Sequence, residues 1–150
     1  MWAAASNWKT SSNGALQMSR SSAPRIDVPL IFLLAYATAS LVHHVHNAEF
    51  LCEYPNMPAW LSPAKVYAAW AGVTSIGLTG YFLFRRGYRF AGLAALAVYG
   101  AFGLDGLGHY TLAPLSVHTM TMNVTILLEI GTGLLLLAAV AGRILTRQPS

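Results

Sequence analysis

The sequence predicts an all-α fold, a bundle of four transmembrane helices with both termini in the cytoplasm. Of its 150 residues, 55% are hydrophobic and only 9% are charged, whereas a soluble domain carries about a quarter charged residues. The hydrophobic residues form four runs that can each cross most or all of a hydrocarbon core of roughly 30 Å as a helix. Eight of the nine Lys and Arg residues flank these runs on one side, and such an excess marks the cytoplasmic side.

The first hydrophobic run covers residues 28–45, and Pro29 suits the first turn of a helix there. The preceding residues 1–27 are small and polar, which predicts a disordered cytoplasmic tail. Met18 is an alternative start of the chain. From Met18, the stretch up to the A-x-A sequence at 37–39 also resembles a cleaved signal peptide. Because apolar sequence continues to residue 45, we favour a retained helix.

The second, third and fourth runs cover residues 64–84, 90–110 and 118–145. Ser62 followed by Pro63 predicts a capped start for the second helix. The third run is rich in glycine, which allows close packing of neighbouring helices in membranes. These glycines are Gly92, Gly100, Gly103, Gly106 and Gly108.

A proline-rich loop, residues 47–64, joins the first two runs. Its Tyr54 and Trp60 are typical of an aromatic belt at the membrane interface. The single cysteine, Cys52, excludes a disulfide within the chain and is expected to be a partly buried, inert thiol.

The distribution of basic residues predicts the orientation. Three lie in the tail, three at 85–89 and two near the C-terminus, and only Lys65 lies on the opposite side. The basic residues form no stripe with interleaved aromatic residues, so we expect the lipid bilayer as partner and no nucleic acid. A homo-oligomer or a larger membrane complex stays open.

All five histidines lie near the non-cytoplasmic ends of the runs, together with three acidic residues. His43, His46, Glu49 and Glu53 are three or four residues apart and would share one face if the first helix continued that far. Asp105 and His109 are also four residues apart. The clustered residues are His43, His44, His46, Glu49, Glu53, Asp105, His109 and His118.

Two helices that each offer a carboxylate and imidazoles could hold a metal ion between them. The predicted ligands are His43, His46, Asp105, His109 and His118. Imidazole suits zinc, copper and iron, and spacing alone does not choose among them. A proton-linked or hydrogen-bonded network is the alternative, as are plain interfacial histidines.

Glu129 lies 11 residues after His118, so a helix would place it about 16 Å deeper, near the bilayer midplane. Met122 and Thr125 share its face. A carboxyl group at that depth is typical of a proton relay, a deep metal ligand or a catalytic acid. The alternative is a neutral acid hydrogen-bonded across helices, to Thr74, Ser75 or Thr79. Glu49 and Glu129 are the candidate catalytic residues.

A short stretch carries a resemblance to a known family. His46-Asn47-Ala48-Glu49-Phe50, followed by Glu53-Tyr54-Pro55 and Trp60, resembles small multi-pass bacterial membrane proteins with an HxxEE motif. Phe50 stands in place of the second motif acid, and Glu53 lies one turn later. The resemblance implies a multi-pass membrane location and no particular activity.

The sequence therefore predicts a multi-pass protein of the bacterial inner membrane with a His/carboxylate cluster at the periplasmic face. The cluster would bind a metal or act as an acid/base site on a membrane-phase substrate. The alternative is a non-catalytic accessory subunit, or a metal or proton carrier, in which the cluster is structural. Whether the protein is an enzyme stays open, although GxSxG, Walker, CxxC and HExxH motifs are absent from the sequence.

Overall fold

The computed structural model describes residues 27–146, and within this range all regular secondary structure is helical. The tail predicted at residues 1–27 lies outside this range except for Asp27. The α-helices are α1 (Val28–Glu49), α2 (Pro63–Arg85), α3 (Arg89–Phe102), α4 (Gly108–Leu112) and α5 (Met120–Leu145). Short 3-10 helices cover Leu51–Glu53, Gly103–Leu107 and Leu115–Val117.

Within residues 27–146, four helical segments are long and apolar enough to cross a membrane. They are α1, α2, the combined segment Arg89–Leu112, and α5. The all-α four-helix fold is thereby confirmed, whereas the orientation of the termini stays a prediction. The third segment is interrupted by the 3-10 helix Gly103–Leu107, which the hydrophobic pattern did not indicate.

Helix boundaries differ from the predicted ones mainly near the histidines. Helix α1 continues to Glu49, so His46 is helical. Helix α5 begins at Met120 rather than at His118, because the side chain of Thr119 caps it by accepting a hydrogen bond from the Met122 amide at 3.2 Å. Ser62 occupies the cap position of α2 but its side chain makes no capping hydrogen bond.

The helices pack α1 against α2 and α5, and α3 against α2 and α5. We call the end where α2 turns into α3, at Arg85–Arg89, the basic end. We call the opposite end, where α1 ends and α5 begins, the histidine end. The half of the bundle near the basic end has an apolar core, composed of Leu33, Tyr36, Leu93, Leu96, Tyr99, Leu136 and Val140.

Glycines bring the third segment against its neighbours, as the composition predicted. A Cβ atom on Gly103 would lie 3.1 Å from the Cα of Gly133, so the two backbones touch directly. Similar close approaches occur at Gly92, Gly100 and Gly106. The prediction was wrong for Gly108, which has open space around its Cα.

Asp27 fastens α1 to α2 at the basic end. Its carboxylate accepts hydrogen bonds from the Leu30 amide at 3.4 Å, the Tyr81 hydroxyl at 2.7 Å and the Arg85 guanidinium at 3.2 Å. Partial burial alone would raise the pKa of Asp27, but these hydrogen bonds and the Arg85 charge outweigh it, so the pKa lies below its ordinary value of 3.8.

The loop between α1 and α2 folds over the histidine end. Asn56, in a left-handed backbone conformation with φ 58°, donates from its side chain to the Leu112 carbonyl at 2.8 Å. This contact ties the loop to the end of α4. Cys52 is exposed on the loop, which corrects the prediction of a partly buried thiol.

Candidate functional site

Tyr54 stands at the centre of the histidine cluster. Its ring centroid lies 5.1 Å from that of His109, 5.8 Å from His46, and 6.5 Å from both His43 and His118. Tyr54 is only 3% exposed, so the prediction of an interfacial belt residue was wrong. The loop that carries Tyr54 is anchored at Asn56, and this anchoring turns the ring inwards.

A series of polar side chains lies between buried Glu129 and partly exposed His46. The Glu129 Oε2 lies 3.5 Å from the His43 Nε2, and the His43 Nδ1 lies 3.3 Å from the Thr125 hydroxyl. At the other end, the Tyr54 hydroxyl lies 3.0 Å from the His46 Nδ1. Burial raises the pKa of Tyr54 to about 12. The two parts of the series are adjacent, since the ring centroids of His43 and Tyr54 lie 6.5 Å apart.

Glu129 is paired with histidines rather than with the α2 hydroxyls named from the sequence. Its second oxygen lies 3.6 Å from the Nδ1 of His44, which also lies 2.9 Å from the Ser40 carbonyl. Two of the three expected partners contact other groups: the Thr74 hydroxyl lies near the Tyr99 hydroxyl, and Ser75 donates to the Gly72 carbonyl. The predicted partners of Glu129 are thus corrected, because α1 and α5 bring it beside His43 and His44.

A cavity of about 120 Å³ lies beside the Glu129–His43 pair. The side-chain oxygen Oδ1 of Asn47 is buried and has no hydrogen-bond partner among the described residues. Polar side chains from α1, the third segment and α5 line the cavity together with aromatic rings. The lining residues used below are Tyr36, Asn47, Phe102, Asp105, His109 and Glu129.

The structure brings most of the sequence-predicted site residues together. His43, His46, His109 and His118 surround Tyr54, and Asp105 lines the cavity with Glu129. His118 lies just before α5, where its Nδ1 is 3.2 Å from the Pro114 carbonyl.

Glu49 is the exception. It is exposed and accepts a hydrogen bond from the Tyr67 hydroxyl at 2.7 Å, away from the histidines. Because α1 ends at Glu49, the face expected to run from His43 to Glu53 is not continuous. The two carboxyl groups named as candidate catalytic residues therefore lie in different surroundings.

Among residues 27–146, no three His, Cys, Asp or Glu side chains are placed to hold one metal ion. Tyr54 lies among the four imidazoles that were expected to converge, and its hydroxyl is bonded to His46. The described side chains therefore do not form the ligand set predicted for zinc, copper or iron, and the metal stays a prediction.

Several residues of the site could not be identified from the sequence. Tyr54 and Asn47 read as loop or helix-end residues, and only their contacts reveal them. The sequence did indicate Thr125, because it lies one turn before Glu129 on the same helical face. Its side chain is indeed buried at that face together with Met122 and Glu129.

No family model, curated protein or solved structure matches this chain. The resemblance of residues 46–60 to HxxEE membrane proteins stays a prediction. Function is therefore inferred from the geometry of the site.

Proposed function

We propose that this chain is a multi-pass protein of the bacterial inner membrane that performs acid–base chemistry at the buried Glu129–His43 pair. The pair would exchange protons with the histidine end and act on a small substrate in the adjacent cavity. The single observation that carries the proposal is the series of polar side chains made of the Glu129–His43–Thr125 contacts and the adjacent Tyr54–His46 hydrogen bond.

Hydrogen-bond donors and acceptors along this series imply one mobile proton. Thr125 donates its only hydroxyl hydrogen to the Met122 carbonyl at 3.0 Å, so it accepts from His43. The Nδ1 of His43 therefore carries a hydrogen, and its Nε2 faces the Glu129 carboxyl group. An attractive contact there needs one proton, either on the carboxyl group or on the imidazole. Both arrangements conserve the contact, and the proton would move between the two groups when they approach from the observed 3.5 Å to hydrogen-bond distance.

Tyr54 and His46 form the part of the series at the histidine end. We infer that protons reach it from the neighbouring His43 ring rather than through Thr125, whose hydrogen is donated to Met122. A pKa of about 12 keeps the Tyr54 phenol protonated at neutral pH, so it can pass a proton by accepting one and donating another rather than by ionising. His46 is partly exposed and completes the path. In the other direction, the apolar core around Leu33, Leu96 and Leu136 lies between Glu129 and the basic end. Access is therefore one-sided, which is expected of a site and not of an open channel.

The proton on Glu129 can be observed by infrared difference spectroscopy of the purified protein in lipid nanodiscs. We expect a pH-dependent carbonyl band from a protonated carboxyl group that disappears in Glu129→Gln. Glu49→Gln is the matched control, because Glu49 is exposed and lies outside the series. A titrating carboxyl band that survives in Glu129→Gln and disappears in Glu49→Gln would overturn the proposal, as would the absence of any band in the wild type.

The orientation can be tested through the single cysteine. Arg85, Arg86 and Arg89 lie at the basic end and exposed Cys52 lies at the histidine end, so the positive-inside rule places Cys52 in the periplasm. A membrane-impermeant maleimide should label Cys52 in intact cells, whereas Cys52→Ser should give no label. Labelling only after the cells are broken open would reverse the proposed orientation.

A further inference from the structure

We propose that the cavity beside Glu129 binds a small organic cation with a primary ammonium group. The inference deepens the proposed function, on which it rests, because it names the class of substrate for the acid–base site. Three features of the cavity carry it: its two carboxyl groups, an unpartnered buried acceptor, and two aromatic rings.

The charged lining of the cavity is mainly acidic. Asp105 and Glu129 line it, and no Lys or Arg among residues 27–146 does. Histidines are the only basic groups there, and the two nitrogens nearest Glu129 lie 3.5 and 3.6 Å away. Charge-assisted hydrogen bonds are shorter, about 2.7–2.9 Å. The carboxyl oxygens of Glu129 therefore keep unused capacity for a cationic donor.

Asn47 points to a donor independently of the carboxylates. Its side-chain oxygen is buried, the residue is 8% exposed, and no described group donates to it. A buried acceptor destabilises a protein when nothing bonds to it. An ammonium group has three N–H donors and could bond Asn47, Glu129 and Asp105 together.

Size and lining favour an organic cation over a metal ion. A volume of about 120 Å³ holds a molecule of a few heavy atoms. Tyr36 and Phe102 line the same cavity, and aromatic faces attract organic cations. No metal-binding group of three residues is formed in the described part of the chain. Exposed Asp105 also lines the cavity, so a ligand can enter beside it.

Titration calorimetry with methylammonium chloride on the protein in nanodiscs tests the proposal, with sodium chloride as the ionic-strength control. We expect saturable binding to the wild type, weakened at least tenfold in Glu129→Gln and several-fold in Asn47→Leu. Glu49→Gln should bind as the wild type does. Asn47→Asp, which adds a negative charge at the unpartnered acceptor, should bind more tightly.

The outcomes separate this proposal from the proposed function. Absence of methylammonium binding, or equal binding by wild type and Glu129→Gln, overturns the cation site even if the Glu129 infrared band is present. Stoichiometric zinc binding that displaces methylammonium also overturns it and favours the metal predicted from the sequence. If Glu129→Gln fails to fold, Asp105→Asn and Asn47→Asp decide: opposite changes in affinity support the site, and unchanged affinities overturn it.

Discussion

The two halves of the bundle are built from different chemistry. Near the basic end, buried residues are apolar, and rings such as Tyr36 and Tyr99 pack with centroids 4.5 Å apart. Near the histidine end, the buried set includes imidazoles, Thr125 and Glu129. Buried polar groups rarely stabilise a protein as much as well-packed apolar groups of similar volume. We infer that the basic half supplies most of the stability and the histidine half supplies the chemistry.

The largest change in stability is expected from Gly92→Ala, in the half near the basic end. A new Cβ would collide with the backbone of Phe84, which cannot move aside as a side chain end would. We expect a loss of about 1–3 kcal/mol or more in the free energy of unfolding, measured in detergent. Gly72→Ala is the matched control because nothing lies within 4 Å of its added Cβ. Equal stability of the two variants would contradict the role given to the basic half.

In the histidine half, Glu129→Leu should remove the infrared band without loss of stability. The remaining histidines can be neutral, so no unpaired charge is left buried. Removing one partner of a buried pair is strongly destabilising where it leaves the other charge unpaired, which does not happen here. Unfolding in detergent, compared with wild type, measures this. A loss of stability as large as that of Gly92→Ala would contradict the inference that the half near the basic end supplies most of the stability.

Tyr54→Phe tests one hydroxyl group of the histidine half, because it removes this group and keeps the ring among the histidines. The lost hydrogen bond to His46 should cost about 0.5–1.5 kcal/mol of stability. Proton exchange at Glu129, followed by time-resolved infrared spectroscopy after a pH jump, should slow at least tenfold. Tyr67→Phe is the control, since Tyr67 bonds only to exposed Glu49 outside the series. Unchanged exchange in Tyr54→Phe would exclude Tyr54 from the relay.

The smallest effect is expected at Asp27. Its pKa is lowered in the folded protein, so its contribution to stability is complete above the ordinary value of 3.8 and is lost as the pH falls through the lower, folded value. We expect Asp27→Asn to cost about 0.5–1 kcal/mol at neutral pH. The difference from wild type should vanish in acid. A difference in stability that grows in acid would show that the pKa of Asp27 is not lowered in the folded protein.

The sequence alone predicted the four membrane-spanning helices, but it did not predict which side chains of the site contact one another. Hydrophobic runs located the four helices within a few residues, because length and apolarity are local properties. The burial of Glu129 also followed from its predicted depth, because a charged side chain that faced lipid there would be costly. Its pairing with His43 did not, since periodicity gives neither the depth nor the rotation of one helix against another. Tyr54 was missed because a loop residue is buried only by tertiary contacts, and Glu53 does not continue the face of His43 because α1 ends at Glu49.

The 3-10 helix at Gly103–Leu107 has a consequence for the direction in which His109 points. A 3-10 helix advances about 120° per residue and an α-helix about 100°, so five residues add a rotation of roughly 100°. An uninterrupted α-helix would therefore aim the imidazole of His109 about a quarter turn away from Tyr54. Local winding of the third segment thus sets the angular phase of its last turns, and with it the direction of the His109 imidazole.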